Sequence, residues 1–201
     1  ARQGGARQLG LNLAARIEGM LPEAAKPVFA GETKVTGQAS FGDDGAVTLS
    51  GLNLSAALAK LDVSGRVGQD GQVDLTVAAN NLPGSDGATS AGGATIRDLT
   101  FRGRVTGPLA GPNVDATLSA ANARFPAGRL ARLDATFRAT PAGTAPTGAP
   151  QLALTGDAKL TGLAPADPKL ARAVGDNVAL TLRGTATTKG TAEIETLRLA
   201  T

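Results

Sequence analysis

The sequence predicts an all-β fold, an elongated and mostly antiparallel sheet with one or two short helices. Apolar residues alternate with polar or small ones in run after run along the 201-residue chain, as in strands with one buried face. The 11 prolines are expected between these runs, where they remove no ladder hydrogen bond. Hairpin-like units also recur. Such units bury their apolar side only against neighbours, which predicts a long sheet rather than a compact globule.

The first half of the chain shows the alternation most regularly. Its first run places Leu9, Leu11 and Leu13 on one side, and the next begins at Val35. After Gly51 the parity of the apolar positions reverses, which predicts a β-bulge at this glycine. Further runs are centred near residues 63, 75, 101, 116, 135, 153 and 180, about a dozen strands in all.

Two short polar gaps between runs contain Asp44-Gly45 and Asp70-Gly71. An Asp-Gly pair accommodates the positive φ angles of a tight hairpin, so consecutive strands are expected to pair antiparallel. One hairpin pattern occurs twice, first at residues 61–76 and again at residues 99–117. We interpret residues 1–201 as a single repetitive β segment of a longer protein.

A short helix is predicted where Asp167 can act as the N-cap, Pro168 suits the first turn and Gly175 suits the end. A less regular counterpart covers residues 21–30, where Pro27 interrupts it. Residues 80–94 and 140–150 are rich in small and polar residues and are predicted to be loops.

Composition argues against an enzyme and against a cofactor. The chain has no His and no Cys, which removes the imidazole base, the thiol nucleophile, structural zinc and disulfides. A glycine series at Gly65, Gly68 and Gly71 lies in a hairpin rather than before a helix, so it is not a phosphate loop. Few aromatics and a net charge of only +3 also argue against nucleic acid as a partner.

The remaining polar candidates have simple structural readings. The carboxylate pairs 43–44 and 193–195 come without a metal-ligand array, and no metal site is predicted. Ser85 and Ser90 have no base at a suitable spacing. Half of the arginines lie between residues 97 and 138, namely Arg97, Arg102, Arg104, Arg124, Arg129, Arg132 and Arg138. Because Arg102, Arg104, Arg132 and Arg138 alternate with the apolar face, they are expected on the outside of the sheet, as a solvated face or as contacts to anionic lipid head groups or an acidic partner.

The apolar face is the most informative feature, because no helix of matching length exists to cover it. Either two halves of the sheet close on each other as a sandwich, or they leave an apolar groove. The residues expected to line this face are Leu61, Val63, Val67, Val73, Leu75, Val77, Leu99, Phe101, Val105, Val114, Leu118, Leu133, Phe137, Leu152, Leu154, Val178, Leu180 and Leu182.

The sequence resembles the TamB branch of the AsmA-like family. The resemblance rests on segment 105–115, which reads VTGPLAGPNVD, on segment 160–165, which reads LTGLAP, and on glycine-containing strand motifs at Gly37, Gly65, Gly103 and Gly184. It implies a sheet curled lengthwise into an open hydrophobic trough. It also implies a periplasmic location, with the parent protein anchored in the inner membrane by a segment outside this chain.

The resemblance further implies a non-enzymatic role. The face listed above would hold phospholipid acyl chains moving between the inner and outer membranes, or would assist outer-membrane protein assembly together with a TamA-like barrel. A structural β-solenoid, such as an adhesin passenger, is the rival prediction. It would need parallel rungs of constant length, which the Asp-Gly hairpins interrupt.

Overall fold

The structure is a computed structural model that describes residues 7–16, 32–55, 59–81, 88–91, 94–145, 148–187 and 192–201. Within these ranges almost every residue belongs to a strand. The strands are β1 (Arg7–Ala15), β2 (Thr33–Phe41), β3 (Val47–Ser55), β4 (Ala59–Val67), β5 (Gln72–Asn81), β6 (Ala88–Ala91), β7 (Ala94–Pro108), β8 (Asn113–Phe125), β9 (Gly128–Thr144), β10 (Pro150–Thr161), β11 (Ala164–Pro165), β12 (Asn177–Thr187) and β13 (Ala192–Ala200). The helix is α1 (Pro168–Val174).

The strands form one open sheet in the order β1-β2-β3-β4-β5-β7-β8-β9-β10-β12-β13. Short strands β6 and β11 pair with β7 and β9 beside this path. Every pairing among these strands is antiparallel, and β1 and β13 form the two edges. The predicted all-β, antiparallel, open architecture is confirmed. The parallel solenoid does not describe this sheet.

The described strands approach each other closely only along their ladders, apart from marginal contacts, and α1 lies close only to β11. Two sheets packed face to face lie about 10 Å apart and bury the side chains between them. Here most of the residues expected to line the apolar face are only half-buried. The described sheet therefore does not close this face into a packed core.

The bulge predicted at Gly51 is present. Gly51 has φ +60, and the ladder shifts register between Leu49 and Leu52 on the β4 side. It shifts between Thr36 and Gln38 on the β2 side as well. The extra residue explains the parity change in the sequence, because it returns Leu52 and the next apolar residues to the face that Leu49 occupies.

The Asp-Gly turns close two hairpins in the same way. Gly42 N–H donates to the Ala46 carbonyl, and Gly45, at φ +74, donates to the Gly42 carbonyl. Asp44 Oδ1 accepts a hydrogen bond from Ala46 N–H at 3.1 Å. The equivalent bonds recur around Asp70 and Gly71 in the β4–β5 turn. The glycine supplies the left-handed residue and the aspartate caps the turn, as predicted.

The predicted helix is confirmed as α1. Asp167 is its N-cap and accepts a hydrogen bond from Lys169 N–H at 2.8 Å, and Pro168 lies in the first turn. Gly175, at φ +70, ends the helix. The second predicted helix, at residues 21–30, lies outside the described residues.

Much of the two predicted loops is strand, and this part of the prediction is wrong. Asn80 and Asn81 end β5, and β6 occupies residues 88–91 of the first predicted loop. Strand β9 continues to Thr144, through the first five residues of the second predicted loop, and β10 begins at its last residue, Pro150. Small residues give little periodic signal, yet their backbone groups pair once a neighbouring strand supplies a ladder.

Prolines also do not all lie between strands, contrary to expectation. Pro141 lies inside β9, opposite Leu152. The β9–β10 ladder shifts register next to this pair, and Gly143 has φ +98. An irregularity of this kind tolerates proline because the ladder is already interrupted there.

Candidate functional site

The predicted apolar residues lie together on one face of the sheet. Leu61 is opposite Ala79 in β5, and Ala79 is opposite Phe101 in β7. Phe101 is opposite Leu118, which is opposite Ala135 in β9. Directly opposed residues point to the same side, so this row and the parallel rows beside it form one continuous surface. We call this surface the apolar face.

All but one of the predicted lining residues take a regular place in these rows. Val77 lies opposite Val63 on one neighbouring strand and opposite Gly103 on the other. Leu182 lies between Gly156 and Leu197 in the same way. The exception is Leu99, which lies where the β7–β8 ladder shifts register. Apart from Leu99, the structure thus brings the set together, from β4 to β12, on a single side.

The apolar face is the more enclosed side of the sheet. Val77 is half-buried, whereas Thr76, of nearly the same size, is exposed on the opposite side. The neighbours across the strands do not explain this difference, because Thr76 lies between Ser64 and Arg104, whereas Val77 lies between the smaller pair Val63 and Gly103. On a flat sheet, the larger neighbours of Thr76 would make Thr76 the less exposed of the two. The difference indicates curvature toward the apolar face, so that its side chains converge.

The enclosure is nevertheless incomplete, as expected of an open trough. Val73 and Val178 are each only 4% exposed, but most of the lining is half-buried. Phe137 is 40% exposed. It stands between Ala116 and Gly156, so its ring rises from a floor of small residues.

A family comparison covers this same stretch of the sheet. The family model described as TamB, N-terminal domain, matches residues 29–186. The chain belongs to the TamB family. No curated protein and no solved structure shows a significant match to the chain. The TamB match includes the apolar face from β2 into β12, while β1 and β13 lie outside it.

The opposite side of the sheet in this TamB segment is polar and carries several ion pairs. Four arginines bond to aspartates there, which confirms the predicted outward position of Arg104, Arg132 and Arg138. The pairs are Arg66–Asp44, Arg104–Asp74, Arg132–Asp134 and Arg138–Asp115. Arg102, opposite Thr117, lies on this side too.

Two of these ion pairs lower the pKa of their aspartate. A hydrogen bond from the Arg104 guanidinium lowers the pKa of Asp74 below its ordinary value. A hydrogen bond from Arg132 lowers the pKa of Asp134 in the same way, with a smaller contribution from the charge of Lys159. Both carboxylates are solvent-exposed, so water and salt screen these pairs strongly.

Two shallow depressions, of about 720 and 680 Å³, are lined mainly by residues of the polar side, although Phe137 borders the first and Leu118 the second. Exposed threonines such as Thr117 and Thr136 form their floor, and Arg102 borders both. Long arginine side chains border the first of them. The two depressions hold no enclosed apolar volume, so the continuous apolar face remains the stronger site for a hydrophobic ligand.

The polar residues considered as catalytic or metal-binding have structural positions. Asp44 caps a turn and bonds to Arg66. Glu193 is exposed and opposite Thr185. Within the described ranges, no three His, Cys, Asp or Glu side chains come together as a metal site. Ser85 lies outside the described residues. No helix among the described elements is long and apolar enough to cross a membrane.

Three of the arginines between residues 97 and 138 meet in the fold, and their meeting was not predicted from the sequence. Arg97, Arg124 and Arg129 lie around one depression, although the sequence separates them into three strands. A local signal was available. In the segment 124–129, RFPAGR, a tight turn at Pro126 and Ala127 places its two arginines directly opposite each other.

Proposed function

We propose that this segment carries phospholipid between the inner and outer membranes of the bacterial envelope. The supporting observation is the apolar face, which runs from β4 to β12 and is mostly only half-buried in the described sheet. Membership of the TamB family supports an envelope role. In this proposal the segment works in the periplasm, within a parent protein anchored in the inner membrane, and it performs no covalent chemistry.

An acyl chain suits the apolar face better than a polypeptide does. The backbone groups beneath the face are already paired in the ladders, so an extended peptide lying on it would leave its own N–H and C=O groups without partners. A hydrocarbon chain has no such groups. Each methylene that leaves water contributes about 0.8 kcal/mol, and a membrane lipid has many of them.

A second role, in outer-membrane protein assembly with a TamA-like barrel, is supported by the sheet edges. The outer backbone groups of β1 and β13 have no ladder partner among the described strands. Both edges carry exposed apolar residues, namely Leu9, Leu13, Ile194, Leu197 and Leu199. An incoming strand could extend the sheet there by β-augmentation and add its apolar side to the face.

A pair of photo-crosslinkers tests the lipid role. The neighbours Leu118 and Thr117 lie on opposite sides of β8, so a photoreactive residue at each samples the two faces separately. Crosslinking in cells, followed by mass spectrometry of the purified full-length protein, should recover phospholipid from position 118 and little from position 117. Equal recovery from both positions, or none from 118, would overturn the proposal. Nascent outer-membrane protein at 118 without lipid would favour the assembly role.

A further inference from the structure

Three arginines meet at one end of the sheet. Arg97 lies near the start of β7, Arg124 near the end of β8 and Arg129 near the start of β9. They line a depression of about 820 Å³ together with Asn122 and the buried Leu130. All three arginines are exposed.

Their pairing differs from that of the other arginines on the sheet. Arg124 is directly opposite Arg129 in the β8–β9 hairpin, next to the closing pair of Phe125 and Gly128. Like charges directly opposite each other destabilise a sheet. Elsewhere Arg104 and Arg138 each bond to an aspartate. In the described part of the chain, no carboxylate forms an ion pair with any member of the cluster.

Local backbone features hold the arginines together. Asp98 has φ +51 and Asn122 has φ +52, and the β7–β8 ladder shifts register on both sides of Arg97. These irregularities bend the strand ends so that Arg97 reaches the same depression as Arg124. Ala123 and Leu130, opposite each other and buried, form the ladder pair next to Arg124 and Arg129 and anchor the backbone there.

We propose that this cluster binds the phosphate of an anionic phospholipid head group whose acyl chain lies on the apolar face. The inference rests on the proposed lipid function. Guanidinium groups donate paired hydrogen bonds to phosphate oxygens, and an anion offsets the repulsion between the opposed Arg124 and Arg129.

The apolar face lies within reach of such a head group. It includes Leu133, four residues beyond Arg129 in the same strand, or about 13 Å at the rise of a β-strand. Leu133 is opposite the buried Ala120 and belongs to the row nearest the cluster. An acyl chain spans this distance, so one amphiphile can contact both surfaces.

The test uses the full-length protein with the photo-crosslinker at Leu118, incubated with vesicles of phosphatidylglycerol or of phosphatidylcholine. The wild type should capture the anionic lipid preferentially. Substituting glutamine throughout the cluster should reduce this preference about tenfold while capture of phosphatidylcholine persists. The variant is Arg97→Gln/Arg124→Gln/Arg129→Gln, and its charge-matched control is Arg66→Gln/Arg104→Gln/Arg138→Gln, which should keep the preference.

Several results would overturn the inference. An equal loss in both triple variants would attribute the preference to net charge. A wild type that captures both lipids equally would remove the head-group site but leave the lipid function standing. Failure of the wild type to capture any lipid would instead reject the lipid function itself. NMR of the arginine side chains can also detect binding of inorganic phosphate. If the cluster binds inorganic phosphate but the protein shows no preference between the two vesicles, the cluster is a site for free phosphate.

A lysine variant guards against misfolding. Arg97→Lys/Arg124→Lys/Arg129→Lys retains the charge but loses the paired geometry of the guanidinium, and it perturbs the fold least. If the glutamine variant lacks a cooperative thermal transition, the lysine variant takes its place. The lysine variant should lose part of the preference for phosphatidylglycerol. If it keeps the full preference, the arginines do not bind phosphate through paired hydrogen bonds.

Discussion

Gly65 lies directly opposite Leu75 in the β4–β5 hairpin, and a Cβ atom on Gly65 would lie 2.8 Å from the Leu75 Cα atom. Gly65 has φ +138, a conformation that residues with a side chain rarely adopt. The same Cβ would also collide with the Asp74 carbonyl oxygen. This glycine therefore lets two strands approach more closely than any side chain would permit.

We accordingly expect Gly65→Ala to destabilise the protein. The unfavourable φ alone costs about 1–3 kcal/mol, and the backbone contact adds to it. The free energy of unfolding from denaturant titration measures the effect. Gly10→Ala in β1 is the matched control, because a Cβ there meets nothing within 4 Å, and it should change stability little. Equal stability of the two variants would show that β4 and β5 are not in this register.

Leu75→Asp distinguishes an open face from a packed core. Leu75 is half-buried on the apolar face, so the new carboxylate can remain hydrated and the variant should retain a cooperative thermal transition. Lipid capture should fall. Thr76→Asp, on the exposed polar side, is the control and should alter neither property. Complete unfolding of Leu75→Asp would instead indicate a closed core, where an unpaired charge costs several kcal/mol.

Substituting Phe137 is expected to reduce lipid capture more than it reduces the stability of the fold. Its ring is 40% exposed and stands between Ala116 and Gly156, so Phe137→Ala should cost about 1 kcal/mol or less while lowering lipid capture at Leu118. Phe101 is the comparison. It is half-buried with its ring over Gly103, and Phe101→Ala should cost about 2 kcal/mol. Calorimetric melting of the two variants decides whether this order holds.

The pair of Asp74 and Arg104 predicts a pH dependence. Because the hydrogen bond from Arg104 lowers the folded-state pKa of Asp74, this carboxyl favours folding above its ordinary pKa of 3.8. The contribution disappears as the pH falls through the lowered value. NMR titration should therefore show the Asp74 pKa rising in Arg104→Gln. Arg183→Gln, a substitution in β12 away from this pair, should leave the titration unchanged. The stability gap between wild type and Arg104→Gln should close at acidic pH.

The cap of α1 predicts a local effect. Removing the side chain that accepts the Lys169 N–H bond, by Asp167→Ala, should cost about 1 kcal/mol of helix stability. Amide exchange should accelerate in residues 168–174 but not in β12. Asp167→Asn, which can still accept this bond, should behave like the wild type. Faster exchange throughout the sheet would mean that α1 supports the fold more widely than its contacts with β11 indicate.

Features that depend on a few neighbouring residues could be predicted from the sequence. The alternation of Leu61, Val63 and Val67 established a strand and its apolar side, because successive side chains of a strand point to opposite faces. The same holds for the bulge at Gly51 and for the helix that begins after Asp167, since turns and caps are set by local backbone chemistry.

Only the tertiary structure decided which residues become neighbours across strands. The openness of the apolar face, the strand at residues 88–91 and the meeting of Arg97 with Arg124 all depend on register and on long-range contacts. A period-2 pattern is the same in a sandwich and in a single open sheet, so it cannot choose between them. The pattern determined what each strand buries, and the pairing of distant strands determined what remains uncovered.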